Sequence, residues 1–268
     1  MTFNSNETLS SVFMQRNMES KVSDFSHLVS LLETSPQILT LSKNLNYTFK
    51  NLDLLFTALE HSSFGHEVFG DSAQSYETLE FLGDSVLGLI ITETLQEKFP
   101  ALTEGMLSKF RASLVNEESL GKLANTISLH RAVLVGKGEL QNAGHERSSV
   151  LSDVFEAILG AIYKDSGLES AKKTLLFVIN TYEEQTENTF FNLENIIQFD
   201  SKTRLQELTM ALFKSLPRYT SKDVEGNLFE LELIINDKVC ASGTFASKKK
   251  GQRELASKVI KQLEKENI

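Results

Sequence analysis

The stretch YETLEFLGDSVLGLII, residues 76–91, constrains the fold more than any other part of the sequence. Its apolar residues predict a helix that is largely buried. Each residue of a helix turns the chain by about 100°, so Glu77, Glu80 and Asp84 lie on one face, within a sector of roughly 60°. Isolated buried carboxylates are costly unless they are paired or bound to a cation. Three acids side by side on a largely buried helix therefore require partners or a bound cation.

A second apolar helix is predicted within VLSDVFEAILGAIYKDSG, residues 150–167, and it carries Asp153 and Glu156 at i, i+3 on one face. If the two helices meet, their carboxylates repel one another unless a divalent cation lies between them. Oxygen ligands favour Mg²⁺ or Mn²⁺, and such a site suits phosphoryl chemistry. The residues alone leave a second interpretation open, in which these acids are solvated or salt-bridged on helix surfaces.

Several simple features bound the class of protein. No apolar run approaches the length of about 20 residues that a membrane helix needs, so no membrane partner is expected. The N-terminus lacks the pattern of a secretory signal, and Cys240 is the single cysteine, which together fit a reducing cytoplasm. One cysteine and five scattered histidines do not supply a structural zinc site.

Changes in periodicity divide the 268 residues into segments. We predict a polar, frayed or partly helical extension at 1–35, a helical domain at 36–182, a polar linker at 183–198 and a second domain at 199–268.

The second domain shows strand periodicity between two helices. NLFELELII, residues 227–235, alternates apolar and acidic residues, KVCASGTFA follows after the turn signal Asn236-Asp237, and RYTSKDV is a weaker third strand. Helices are predicted at 201–213 and 247–266. The expected fold class is therefore multidomain: an all-α domain followed by a small α+β unit with the order α-β-β-β-α.

Charge is distributed unevenly along the chain, whose net charge is −9. Residues 199–268 contain 13 Lys and Arg against 10 Asp and Glu, a net of +3, whereas residues 1–198 contain the remaining 14 and 26, a net of −12. This asymmetry permits a polyanion-binding module at the C-terminus.

YETLEFLGDS, followed by VLSDVFEAILGAIYKDSG, resembles the signature of the ribonuclease III family, which runs close to NERLEFLGDS and precedes a second D-x-x-E-A helix. LSKFRASLVNEESLGKLA and the GKGE stretch resemble the segments between them. The resemblance covers roughly residues 38–182 and the C-terminal domain. It implies a divalent-metal-dependent endonuclease of double-stranded RNA that works as a homodimer without an organic cofactor. It also implies 5′ phosphates, two-nucleotide 3′ overhangs, and ribosomal and messenger RNA precursors as substrates.

Carried over residue by residue, the resemblance implies a site with Mg²⁺ as cofactor and Mn²⁺ as a possible substitute. The implied metal ligands are Glu80, Asp84, Asp153 and Glu156. Asp84 and Glu156 would be catalytic, and loss of Glu156 would be the most damaging. Glu77 would have a supporting role near the dimer and substrate surface.

SKKKGQRELA resembles the end of a double-stranded RNA-binding domain. The resemblance implies that Lys248, Lys249 and Lys250 meet phosphates at the N-terminus of the last helix. It implies that Thr203, Gln206 and Glu207 on the first helix of this domain reach minor-groove hydroxyls. The family's G-P-x-H loop is absent, with the short DVEGNL in its place, and Phe245 stands where the family has glycine. We therefore expect modest RNA affinity.

Two other functions are compatible with parts of this pattern. A double-stranded RNA-binding dimer could regulate without cutting, but it could lose any of the four acids freely, and all four are present. An unrelated helical metalloenzyme, such as a diphosphate lyase, would need a DDxxD-type cluster, which the sequence lacks.

Overall fold

The computed structural model describes residues 7–20, 25–70, 75–193, 201–226 and 228–265, and the chain divides into two compact units. The described elements before residue 190 are α1 (Leu9–Ser20), α2 (Phe25–Leu32), α3 (Pro36–Leu45), α4 (Leu52–Leu59), α5 (Ser62–Phe69), α6 (Glu77–Lys98), α7 (Glu104–Leu114), α8 (Glu117–Thr126), α9 (Lys137–Gln141), α10 (Ser148–Ser166) and α11 (Leu168–Thr186), with 3₁₀ turns at Leu129–Arg131 and Gly144–Glu146. The later elements are α12 (Ser201–Phe213), β1 (Arg218–Val224), β2 (Leu228–Ile235), β3 (Lys238–Phe245) and α13 (Lys248–Lys265). Of the helices in these ranges, none combines the length and apolar character of a bilayer-spanning segment. The expected fold class is confirmed.

Helix α10 is the central helix of the first unit, and it packs against α4, α6, α8 and α11. Apolar residues lie on most of its circumference and are buried; Val154, Phe155 and Ile158 are at most 1% exposed. Burying side chains of this kind contributes about 1.5–3 kcal/mol each. The core of the unit therefore holds α10 in place, together with any polar side chains it carries.

Two glycines set the distance between α6 and α10. A Cβ atom at Gly83 of α6 would clash with the backbone carbonyl of Glu156, and one at Gly160 of α10 would clash with the carbonyl of Leu79. The two backbones are thus in direct contact at this crossing. Larger residues would force the helices apart.

Part of α6 is exposed where the sequence pattern predicts burial. Leu79, Val86 and Leu87 are buried as expected, but Phe81 is 80% exposed and Leu89 is 54% exposed. Since these two residues are eight positions apart, they share one face of the helix. The expectation that the apolar residues of this helix are buried is wrong for Phe81 and Leu89.

The described residues of the predicted N-terminal extension, 7–20 and 25–35, are more helical than their polar composition predicts. Leu9 and Phe13 of α1 are buried, and the Ser10 hydroxyl donates to the carbonyl oxygen of Val133 (2.7 Å) while accepting from the N–H of Val135 (2.9 Å). The described part of the predicted extension is therefore helical and joins the core rather than fraying. Residues 1–6 and 21–24 lie outside the described residues, and the domain boundary at residue 36 stays a prediction.

The helix before the predicted linker continues into it. α11 continues to Thr186, so the first four residues of the predicted linker at 183–198 are helical. Glu183 explains part of this extension, because its carboxylate accepts a hydrogen bond from the backbone N–H of Phe190 (2.6 Å), whose ring packs on Tyr182. The end of the predicted linker, 194–198, lies outside the described residues.

The second unit is an antiparallel sheet of order β1-β2-β3 covered by two helices. Leu231, Leu233 and Ile235 alternate along β2 and pack with Leu205 of α12 and Val259 of α13. The predicted strand periodicity is confirmed. The turn signal is also confirmed, since β2 ends at residue 235 and β3 begins at 238.

Candidate metal centre

Three carboxylates from two packed helices converge at one point. Glu80 comes from α6, and Asp153 and Glu156 come from successive turns of α10. One oxygen of each lies within 4.8 Å of an oxygen of the other two, and all three side chains are half-buried. The contact between the glycines of α6 and α10 makes this convergence possible, because it brings the acid-bearing faces of the two helices together.

The cluster is electrostatically unfavourable without a cation. Burial, followed by the negative charges of Asp84 and Glu80, raises the pKa of Glu156 to about 8. Burial and neighbouring acids, with Asp153 the strongest of them, also raise the pKa of Glu80, and burial raises the pKa of Asp153. A set of oxygen donors that repel one another is what a hard divalent cation stabilises. The residues present therefore fit Mg²⁺ or Mn²⁺.

The other two acids of α6 lie at the edge of this cluster. Asp84 and Glu77 are exposed, and neither belongs to the group whose oxygens lie within 4.8 Å of one another. Asp84 is nonetheless close enough for its charge to raise the pKa of Glu156, and the charge of Glu77 raises the pKa of Glu80. The structure thus brings three of the four predicted ligands together and leaves Asp84 facing solvent beside them.

Tyr76, which is buried, and His61, which is half-buried, lie beside the cluster. Burial is the main reason that the pKa of Tyr76 is raised, and the negative charge of Asp153 raises it further. The His61 ring lies 5.9 Å from the Tyr76 ring, and its Nδ1 accepts from the N–H of Ser63 (3.1 Å), which caps α5. The sequence did not mark Tyr76 as part of the site, because an aromatic residue ahead of a helix carries no catalytic signature.

Glu60, which precedes His61 in the chain, is a second unexpected feature of this region. Its side chain is fully buried, and neither carboxylate oxygen has a hydrogen-bond partner among the described residues. Its backbone is well held, because its carbonyl accepts from the N–H of Tyr76 (3.0 Å). Burial raises the pKa of Glu60 to about 7. The folded unit therefore keeps a carboxyl group that is ionised only at a free-energy cost.

We expect Glu60→Gln to remove a pH-dependent loss of stability. An unfolded glutamate ionises near pH 4.5, whereas the folded group holds its proton to about pH 7, so stability falls as pH rises through this window and then levels off. The shift corresponds to roughly 3 kcal/mol. Denaturant unfolding should show the variant close to the parent at pH 4.5 and more stable at pH 8. Glu33→Gln, at an exposed position, should show no such difference, and equal pH profiles for Glu60→Gln and the parent would contradict the prediction.

The predicted RNA-binding residues lie on the two helices of the second unit. Thr203, Gln206 and Glu207 are exposed on α12. Lys248, Lys249 and Lys250 are exposed in the first turn of α13. The connection between β1 and β2 is short, since β1 ends at residue 224 and β2 begins at 228. The structure therefore places all six residues at the surface, where they are accessible to a ligand.

The chain is similar to known ribonucleases along most of its length. Residues 51–182 match a protein-family model described as Ribonuclease-III-like. Ribonuclease 3 of Pseudothermotoga lettingae is 35% identical over 238 residues, covering 86% of this chain and 98% of that protein. Ribonuclease 3 of Aliarcobacter butzleri is 40% identical over 234 residues, covering 84% and 97%. The crystal structure of the nuclease domain of ribonuclease III from Campylobacter jejuni matches with a TM-score of 0.51 and 42% identity, covering 57% of this chain and 99% of that one.

The chain has an acidic cluster on two packed helices of an all-helical unit, and an α-β-β-β-α unit follows. Together with the similarity to known ribonucleases, these features place it in the class of double-stranded RNA endonucleases. The similarity extends over both parts of the chain. The chain belongs to the ribonuclease III family.

Proposed function

We propose that this endonuclease uses Mg²⁺, with Mn²⁺ as a substitute, to hydrolyse phosphodiester bonds on both strands of an RNA duplex. The observation that carries the proposal is the convergence of Glu80, Asp153 and Glu156. The proposal includes products with 5′ phosphates and two-nucleotide 3′ overhangs, and ribosomal and messenger RNA precursors in the cytoplasm as substrates; membership of the family supports these. Domain boundaries at 36–182 and 199–268 belong to the same proposal.

Each acid of the cluster has a proposed role. Glu80, Asp153 and Glu156 would hold the metal, and Asp84 would join them from the solvent side. When bound, the metal ions make water more acidic and stabilise negative charge on the phosphate and the leaving oxygen. Tyr76 would orient the Asp153 carboxylate, since it lies close enough for the charge of Asp153 to raise its pKa. Glu77 has the supporting role, since its charge acts on Glu80 from the exposed end of α6.

The second unit would hold the duplex while the first cuts it. Lys248, Lys249 and Lys250 lie where the positive end of the α13 dipole adds to their charge, which suits phosphates. The exposed polar residues of α12, Thr203, Gln206 and Glu207, suit the 2′-hydroxyls of a minor groove. A-form RNA is recognised mainly by shape, so this domain would select duplexes rather than sequences.

The exposed face of α6 supports a homodimer. Phe81 and Leu89 present apolar surface on the helix that also carries Glu80, and large exposed apolar residues of this kind mark interaction surfaces. One of the solved Campylobacter jejuni structures is described as showing flexibility in a region involved in dimer formation of its nuclease domain. Two copies joined through α6 would place two metal centres in one particle, one for each RNA strand.

Phe81→Asp is expected to break the dimer without unfolding the protomer. The side chain contributes little to the core of its own unit because it is 80% exposed, but a buried aromatic at an interface centre is commonly worth 2 kcal/mol or more. Sedimentation should show the dimer dissociation constant rising at least about thirtyfold. Leu39→Asp, at a residue of α3 that is 59% exposed, is the matched control and should remain dimeric. A Phe81→Asp protein that sediments as a dimer would rule out this interface.

The proposed reaction is tested by incubating the purified chain with a long RNA duplex, with and without Mg²⁺, and mapping the product ends. Cuts that need Mg²⁺ and leave two-nucleotide 3′ overhangs are the expected result. Binding without cutting in both Mg²⁺ and Mn²⁺ would instead favour a regulatory binder and would contradict the proposed reaction.

A further inference from the structure

One of the three lysines at the start of α13 is held by its own domain. The Lys248 Nζ lies 3.1 Å from Oδ1 of Asp223 and 4.6 Å from the centre of the Phe229 ring. Within the described residues, Lys248 is the only one of the three with an acidic partner. Its ammonium group is therefore restrained by an ion pair and a cation–π contact at once.

The strand register explains why the partners are available. Asp223 lies directly opposite Phe229 in the antiparallel pairing of β1 with β2, so both side chains project from the same face of the sheet. Phe229 is in turn opposite Phe245 of β3, three residues before Lys248. The end of the sheet thus forms a row of one acid and two aromatic rings, which we call the restraining row, directly beside the first turn of α13.

Glycine at position 251 allows this row to pack. A Cβ atom on Gly251 would collide with the Phe245 ring and with Leu231, so the ring occupies space that a side chain at residue 251 would otherwise fill. The row is therefore part of the packed domain and does not depend on a mobile loop. Asp223 itself keeps most of its side chain in water, with 77% exposed, so it also places a negative charge where an RNA phosphate would approach.

We propose that Asp223 lowers the affinity of the second unit for duplex RNA by holding Lys248 and by repelling phosphate. This inference rests on the proposed RNA-binding role of the α13 lysines. A phosphate and the Asp223 carboxylate compete for the same ammonium group, so binding requires the ion pair to be weakened. Asp223 is then a residue that tunes how long a duplex stays on the enzyme.

The test uses the full chain with divalent metal chelated, so that a labelled RNA duplex of about 20 base pairs stays intact, and follows anisotropy over a salt series. Asp223→Asn should bind about three- to tenfold more tightly, because the pair is lost and a repulsive charge is removed. The dependence of affinity on salt should become steeper by about one released ion. When Lys248→Ala is added, the steeper salt dependence should disappear, and the gain in affinity should shrink to the part that comes from removing the repulsive charge.

Asp237→Asn is the matched control. It makes the same charge change in the same sheet and breaks an ion pair to Arg218 (2.5 Å), but at the turn between β2 and β3. Its affinity should stay within about twofold of the parent, well below the change expected for a phosphate contact.

The variant Lys249→Ala/Lys250→Ala tests the proposed RNA-binding face independently of the restraint on Lys248. If it weakens binding while Asp223→Asn behaves like Asp237→Asn, the restraint is wrong and the RNA-binding face stands. If it leaves affinity unchanged, the proposed face is wrong, and the inference that rests on it is overturned as well.

Discussion

Glu156→Gln should reduce duplex cutting by at least about a thousandfold while leaving duplex binding intact. Burial, together with the negative charges of Asp84, Glu80 and Asp153, raises the pKa of Glu156 to about 8. Glutamine keeps the shape of the side chain but removes the charge that would bind a divalent cation. The RNA contacts proposed for the second unit are untouched by the change. Cleavage rates in Mg²⁺, measured beside anisotropy with the same duplex, test both statements.

Glu93→Gln is the matched control for this substitution. Glu93 lies on the same helix as Glu80 but pairs with Lys172 (2.7 Å) at an exposed position. Its loss should leave cutting within about twofold, since an exposed ion pair contributes little. Unchanged turnover in Glu156→Gln would refute the assignment of the metal centre even if the duplex is still cut in a metal-dependent way.

Gly83→Ala should destabilise the first unit and reduce cutting at the same time. The added methyl group would meet the carbonyl of Glu156, which is a backbone atom of the central helix and cannot rotate away. Relief requires α6 to move away from α10, and overpacking of this kind costs about 1–3 kcal/mol or more. A loss of 3 kcal/mol lowers the melting temperature by roughly 6–12 °C for a unit of this size. The same displacement separates Glu80 from the acids of α10.

Gly105→Ala, in the first turn of α7, provides the control. A Cβ atom at Gly105 would meet nothing within 4 Å, so alanine should raise stability by up to about 1 kcal/mol through its better helix propensity. Thermal unfolding of the two variants should therefore shift in opposite directions. If Gly83→Ala melts with the parent and cuts normally, the close crossing of the helices does not determine the geometry of the site.

Much of the fold could be predicted because hydrophobic periodicity and the residues that cap helices or form turns depend only on neighbours in the sequence. Asn51 caps α4 through its side chain and Asn116 caps α8 in the same way, so a single residue marks the start of each helix. The strand alternation of β2 reports burial on one face of a sheet, which is also a local property. The acid pairs could be recognised because a carboxylate in an apolar helix costs free energy unless it is paired or bound to a cation, so its presence there indicates a site.

What the sequence did not reveal depends on contacts between distant residues. No pattern marks Ser10 as a partner of residues 133 and 135, or Glu60 as fully buried. Phe81 has the same hydropathy as the buried phenylalanines, so its 80% exposure can be seen only once α6 is packed against α10. The position of Asp84 could not be predicted for the same reason: helical spacing groups it with Glu80, whereas packing leaves it at the solvent edge.

The hydrogen bonds of Ser10 also limit the order in which the protein can assemble during synthesis. The carbonyl and the N–H that hold this hydroxyl are 123 and 125 residues further along the chain. Helix α1 is synthesised before residues 133 and 135, so these two hydrogen bonds can form only after residue 135 has been added to the chain. Closing such a long loop slows folding and leaves apolar surface open meanwhile. The contacts that hold Leu9 and Phe13 in the core therefore depend on residues that the ribosome adds more than 100 positions later.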